Sequence, residues 1–199
     1  MMTEWGENIS PDNAWTEYPR PQMVRENWTN LNGMWEYSIT RQSDKRAGVW
    51  DGEILVPFAI EAPLSGVGRS LEPYEALWYR RNFKLQKEPK GRLLLHFEAV
   101  DYQSTVWVNG KEVGEHVGGN LPFSFDITDQ VKAGKNTLVL KVVNRTNMDD
   151  SFQLRGKQRL VNRGIFYTRV SGIWQSVWLE EVPDLFVQQV KVDAKTSAP

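Results

Sequence analysis

From residue 77 to residue 126 apolar and polar positions alternate in short runs. Leu77, Tyr79, Phe83 and Leu85 alternate with Trp78, Arg80, Asn82 and Lys84, predicting a strand with one buried and one wet face. Leu93, Leu95 and Phe97 repeat the pattern around Leu94, His96 and Glu98. Val106-Trp107-Val108 and Val113 flank Asn109-Gly110, a strong hairpin signal because both central residues of a type I′ turn need positive φ.

Elsewhere the pattern predicts strands over Met34–Thr40, Ile54–Val56, Asn136–Asn144, Ile173–Val182 and Leu185–Val192, the last after a break at Pro183-Asp184. A single helical turn is expected between Asp126 and Gly134, capped by Thr128 or Asp129. No segment longer than about one turn carries the i, i+3, i+4, i+7 apolar spacing of an amphipathic helix. Short strands separated by turn signals argue for an all-β fold, an antiparallel β-sandwich. Residues 1–30 lack a sustained period and read as an extended arm that packs Trp5, Trp15, Tyr18 and Trp28 on the sandwich. The connection from Arg145 to Gly172 exceeds the usual loop length. Phe152, Ile165, Phe166 and Tyr167 within it predict an ordered, packed loop.

Composition narrows the function classes. A net charge of −1 gives no general attraction to nucleic acid or to an anionic membrane. The absence of cysteine excludes disulfides, thiolate metal sites and cysteine nucleophiles. The N-terminal run MMTEWGENISPDNAW has no basic flank followed by an apolar run, so it reads as neither a signal peptide nor a membrane span. The compartment stays open, with a periplasmic or secreted parent protein compatible with the composition. Asn27-Trp28-Thr29 and Asn144-Arg145-Thr146 match the glycosylation sequon.

Candidate chemistry is sparse. Glycoside hydrolysis needs two carboxyl groups about 5–5.5 Å or about 6.5–9.5 Å apart across the scissile bond. Adjacent Glu180 and Glu181 point to opposite faces of a strand. Asp149 and Asp150 read as solvated loop acids, and Glu98 and Asp101 as residues of a strand end and its turn. No acid–base pair emerges, so no catalytic residue is assigned. His96 and His116 stand without a Gly-x-Ser-x-Gly elbow. Asn147, Asp149 and Asp150 offer oxygen ligands but not EF-hand spacing, so neither a metal nor a cofactor is assigned.

The long loop is the best place for ligand contact. Arg155, Lys157 and Gln158 surround Gly156, and Tyr167 and Arg169 precede Ser171-Gly172-Ile173-Trp174. Aromatic faces suit sugar C–H patches, and planar polar groups suit pairs of hydroxyls. The structural alternative pairs Arg and Lys with loop acids and places Tyr167 and Trp174 in the core.

An ordered series of motifs carries a family resemblance. It comprises Trp78-Tyr79-Arg80-Arg81, Asp101 before Val106-Trp107-Val108-Asn109-Gly110, and His116 with Gly118-Gly119. It continues through Pro122-Phe123, Phe125-Asp126-Ile127-Thr128, Asn136 and Ser171-Gly172-Ile173-Trp174. Together, over roughly residues 18–182, these resemble the N-terminal sugar-binding domain of family 2 glycoside hydrolases, the group of β-galactosidases, β-glucuronidases and β-mannosidases. The resemblance implies a jelly-roll (galactose-binding-domain-like) sandwich standing before an immunoglobulin-like domain and a TIM barrel that carries both catalytic glutamates. It implies a division into an arm (1–30), the jelly roll (31–182), and a linker with the first strand of a following domain (183–199). The fragment alone is then expected to be inactive, and its partners to be carbohydrate and the barrel and immunoglobulin-like domains of the parent chain. In related β-galactosidases a loop acid before the SGI motif touches substrate. Phe166 stands at that position here, so no galactose-binding residue carries over. Two other readings remain: an independent carbohydrate-binding module using exposed aromatics such as Trp5, Trp15 or Trp50, or a purely structural sandwich.

Overall fold

The computed structural model describes residues 3–146 and 152–195. In chain order the strands are β1 (Trp28–Asn30), β2 (Gly33–Arg41), β3 (Gly52–Val56), β4 (Glu75–Leu85), β5 (Arg92–Phe97), β6 (Val100–Asp101) and β7 (Gln103–Val108). They continue as β8 (Lys111–Val117), β9 (Phe123–Asp126), β10 (Gly134–Val143), β11 (Gln158–Arg159), β12 (Tyr167–Thr168), β13 (Gly172–Ile173) and β14 (Val177–Val182). A six-stranded sheet in the order β3-β2-β4-β10-β7-β8 faces a four-stranded sheet in the order β1-β14-β5-β9. Both are antiparallel throughout, and together they form the jelly-roll sandwich.

The strands form where alternation lets one face bury. Leu77, Tyr79 and Leu140 from the large sheet meet Leu95, Phe97 and Leu179 from the small one in a single core. Each such side chain contributes roughly 1.5–3 kcal/mol on burial. The β7–β8 connection is the expected two-residue hairpin, with φ of 50° at Asn109 and 80° at Gly110. Asn109 ties it to the neighbouring strand, accepting from the Thr137 amide at 2.9 Å and donating to the Asn136 side chain at 2.8 Å.

Several expectations are corrected. The outer face of β4 is not wet at Trp78, which is only 3% exposed. Trp78 stacks on Trp107 at 5.7 Å, Trp50 packs beside them, and the Lys141 ammonium lies over Trp78. Two-residue alternation cannot distinguish an indole exposed to water from one covered by neighbouring indoles. The run from Ile173 to Val182 is two strands, because Ile173 pairs with Val100 whereas Val177 pairs with Phe97 of the small sheet. The turn after β9 is a 3-10 turn over Thr128–Gln130. Asp126, rather than Thr128 or Asp129, supplies its side-chain acceptor, taking hydrogen bonds from the Thr128 amide and hydroxyl. Leu185–Val192 forms no strand: it lacks a neighbour to pair with, and Leu185 and Val192 are 92% and 81% exposed.

Residues 3–27 contain a short helix (Glu4–Glu7) and a 3-10 turn (Pro21–Met23), then cross the outer face of the small sheet. Tyr18 packs edge-on against Trp28 and Trp178, whereas Trp5 and Trp15 remain exposed, contrary to the packing expected of them. Among the described residues no helix is long and apolar enough to cross a membrane.

Candidate functional site

The loop from β10 to β13 is tied down at both ends by one side chain. Asn144, fully buried just past β10, donates its amide to Asp101 Oδ1 at 3.0 Å, to the Val170 carbonyl at 2.8 Å and to Ser171 Oγ at 3.1 Å. Its carbonyl accepts from the Thr146 amide and hydroxyl and from the Gln153 amide. The departing and returning ends of the loop therefore meet on Asn144. Asn144 also heads one of the two short sequon matches, and there it is fully buried with its side chain engaged.

The loop's return is anchored by charge as well. Arg169 is 1% exposed, and its Nε lies 3.6 Å from Glu61 Oε1. Glu61 Oε2 accepts from the Ser171 amide at 2.8 Å. Burial pushes the Glu61 carboxyl upward against that hydrogen bond, and it pushes the Arg169 guanidinium downward against Glu61, Glu72 and Asp101. Asp101 is raised to about 7, first by burial and then by the Glu61 charge, with Arg169 opposing. The Tyr79 hydroxyl accepts from the Ile173 amide at 3.2 Å beside this cluster. Gly172 has a φ of 84°, and a side chain there would collide with the Tyr79 hydroxyl.

Between these anchors the candidate contact residues separate. Gln158 and Tyr167 sit opposite each other on the parallel pair β11–β12. The Gln158 carbonyl is occupied internally, accepting from the Val170 amide at 2.7 Å. Lys157 and Tyr167 are exposed and Arg155 is half-buried. Arg169 lies inside, holding the loop rather than presenting to solvent. The expectation that Phe152, Ile165, Phe166 and Tyr167 pack the loop from within is corrected, for their exposures are 100%, 69%, 37% and 65%. Hydrogen bonds and the buried anchors hold this loop, with the Arg159 guanidinium 4.3 Å over the Phe166 ring.

Among the described residues, the acids singled out in the sequence are engaged within the fold. Glu98 accepts from the Trp178 indole at 3.0 Å, and Glu181 from the Lys90 amide at 2.9 Å. Glu180 is fully buried, receiving Tyr18, Arg20 and Arg25 at 2.5, 2.5 and 2.7 Å. His96 stacks on Trp178 with Nε2 3.3 Å from Glu180. Burial would raise the Glu180 carboxyl, but the adjacent His96 and the hydrogen bonds from Tyr18 and Arg20 outweigh it and hold it down at about 2. His116 stacks on Phe123, and burial lowers its pKa. Among the described residues no cluster of His, Cys, Asp or Glu is arranged to hold a metal. Asn147, Asp149 and Asp150 lie outside the described residues.

Sequence reasoning did not single out Asn144, Glu61, Tyr18 or Arg20 for these roles. Their partners are far away along the chain, so no local spacing marks them. The position of Asn144 immediately after a core strand, where the chain leaves the sheet, is the one local signal.

The arrangement defines a jelly-roll domain whose distinctive surface is a firmly anchored, apolar-tipped loop. Residues 57–183 match the model for glycosyl hydrolases family 2, sugar binding domain, and the chain belongs to that family. It is 37% identical over 116 residues to a β-galactosidase of Thermoanaerobacter pseudethanolicus, a match covering 57% of this chain and 14% of that protein. It is 30% identical over 133 residues to the β-glucuronidase of Canis lupus familiaris, covering 59% of this chain and 20% of that one. Among solved structures, the Lactobacillus rhamnosus β-glucuronidase superposes with a TM-score of 0.61 and 28% identity over 79% of this chain and 29% of that one. The chain thus spans less than a third of the length of each of these proteins.

Proposed function

We propose that this chain is the non-catalytic N-terminal domain of a longer family 2 β-glycosidase, in which the loop 145–171 shapes the rim of an active site carried by another domain. In this reading residues 183–199 lead towards a following immunoglobulin-like domain, and a catalytic barrel supplies the two glutamates. The supporting observation is the contrast within the loop. Its ends are locked by Asn144, Asp101, Glu61 and Arg169, yet its middle exposes Phe152, Leu154, Val161, Ile165 and Tyr167. Exposed apolar side chains gathered on one loop favour a contact face, and rigid stems would hold that face at a fixed height. Arg155, Lys157 and Tyr167 are the proposed substrate contacts, Gln158 holds β11 against Val170, and Arg169 is a positioning residue. The domain alone has no glycosidase activity in this reading.

The test uses the full-length protein with an aryl β-glycoside. Lys157→Ala and Tyr167→Ala are expected to raise KM or lower kcat while leaving Tm unchanged. Wild-type kinetics in both variants would place the loop away from the active site. Hydrolysis by the 199-residue chain itself would overturn the assignment as non-catalytic.

A further inference from the structure

The sequence holds two Asn-Gly pairs, Asn32-Gly33 and Asn109-Gly110. Such a pair carries its own chemistry, because a glycine has no side chain to shield its backbone nitrogen from the preceding asparagine. At the second pair, a bond forms between the Gly110 nitrogen and Asn109 Cγ while the Cγ–Nδ2 bond breaks. Nδ2 leaves as ammonia, taking the Gly110 proton. Water then opens the cyclic imide at either carbonyl, giving aspartate or isoaspartate. The net change is amide plus water to carboxylate plus ammonium, with no oxidant or reductant.

The fold treats the two pairs differently. Asn32 is buried, donating to the carbonyls of Ala14 and Trp15 and to Ser176 Oγ, and accepting from the Val177 amide at 2.9 Å. Water is kept from it until the arm and β14 separate. Asn109 is exposed at the tip of the β7–β8 hairpin, so water reaches it and only the closed turn opposes the reaction.

The closed turn opposes it in two ways. The φ values of 50° and 80° are those of a type I′ turn, in which ψ of the first central residue is about 30°. At that ψ the Gly110 nitrogen is turned away from the Asn109 side chain, and the ring cannot close. The side chain is pinned as well. Its Oδ1 accepts from the Thr137 amide at 2.9 Å, and its Nδ2 donates to the Gln130 carbonyl at 2.7 Å and to Asn136 Oδ1 at 2.8 Å.

Those partners demand an amide at residue 109. Asn136 is fully buried, its own amide donates to the carbonyls of Lys132 and Gly134, and its Oδ1 also accepts from the Lys132 amide. Asn136 therefore offers residue 109 an acceptor and nothing else, as does the Gln130 carbonyl. A carboxylate in place of the amide would face two acceptors with no proton to give.

We propose that Asn109 is a latent deamidation site gated by the hairpin. It stays an amide while the turn is closed, converts when the turn opens with the rest of the fold intact, and then cannot close the turn as before. An opening is thus recorded covalently. The hairpin meets the start of β10 whereas the loop 145–171 leaves its far end, so the proposal stands apart from the function argued above.

The test follows both pairs by peptide mass spectrometry that separates aspartate from isoaspartate. The 199-residue chain is incubated at neutral pH, folded and in concentrated urea, until at least one of the two asparagines has reacted. In urea both are expected to react at similar rates. In the folded chain Asn109 is expected to react at least about tenfold more slowly than in urea, yet before Asn32. Asn136→Ala is expected to speed the reaction at Asn109 about fivefold or more, the loss of one neutral hydrogen bond, with Asn32 still slow. Asn109→Asp, the product itself, is expected to lower Tm. Should Asn136→Ala fail to fold, the order of the two sites in the wild type carries the test. Equal rates at Asn109 in the folded and urea-treated chains would overturn the proposal. So would Asn32 reacting with or before Asn109 in the folded wild type, an unchanged Asn109 rate in a folded Asn136→Ala, or a wild-type Tm in Asn109→Asp.

Discussion

The side-chain amide of Asn144 lies 3.0 Å from Oδ1 of Asp101, joining the exit of β10 to β6 beneath the long loop. The same amide holds Val170 and Ser171, so one residue closes the loop upon itself.

Removing that clasp has a defined consequence. Asn144→Ala leaves the buried Asp101, Ser171 and Thr146 short of partners, at a cost of about 1–3 kcal/mol for each buried group left unsatisfied. Urea unfolding is expected to show a loss in that range or above. Limited proteolysis is expected to cut first within 152–168. An unchanged midpoint with an uncut loop would mean that the clasp contributes nothing.

Two carboxylates make stability depend on pH in opposite senses. Asp101 is raised from 3.8 to about 7 on folding, so its contribution is complete below about pH 4 and is lost as pH rises through 7. Glu180 is lowered from 4.5 to about 2, so its contribution is present above about pH 4.5 and is lost as pH falls towards 2. Asp101→Asn is expected to flatten the decline in unfolding free energy between pH 4 and 7 while leaving the acid limb intact. An identical neutral limb in the variant would show that Asp101 ionises freely.

The arm over the small sheet depends on Glu180. Glu180→Gln leaves Arg20 and Arg25 without their shared carboxylate, while the Tyr18 hydroxyl keeps a possible acceptor. Breaking a buried pair in this way costs about 3–5 kcal/mol, discounted here because both guanidiniums retain some solvent contact. Loss of hydrogen-exchange protection over residues 18–25 together with a lower Tm is expected. Wild-type protection would assign the arm's position to its aromatic contacts alone.

Backbone requirements give a fourth test of the fold. Gly172→Ala combines a φ of 84° with a collision against the buried Tyr79 hydroxyl, and Gly110→Val places a β-branched residue at a φ of 80° in an open hairpin turn. Both variants are expected to melt below the wild type. Gly172→Ala is expected to lose more, because Tyr79 is buried and its turn has no room to adjust. The reverse order would show that the turn, not the packing, dominates.

The sequence by itself determined the strand-rich fold. Alternation in Leu77–Leu85 and Leu93–Phe97, and Asn109-Gly110 between two apolar runs, are local features, and strands form where one face can bury. The ordered motifs were enough to identify the family. Tertiary structure alone decided which outward-pointing residues stay in water, covering Trp78 with indoles and Glu180 with the arm. It also determined that Leu185–Val192 finds no strand to pair with here. The site divided in the same way: the run Arg155–Gln158 and Tyr167–Arg169 stood out by residue type. Yet only folding placed Arg169 beside Glu61 and gathered Asn144, Asp101 and Ser171 at the loop's base. Alternation records which way a side chain points from its strand. It carries no record of which distant segment will meet that side chain, and here those long-range meetings set burial, charge and the position of the loop.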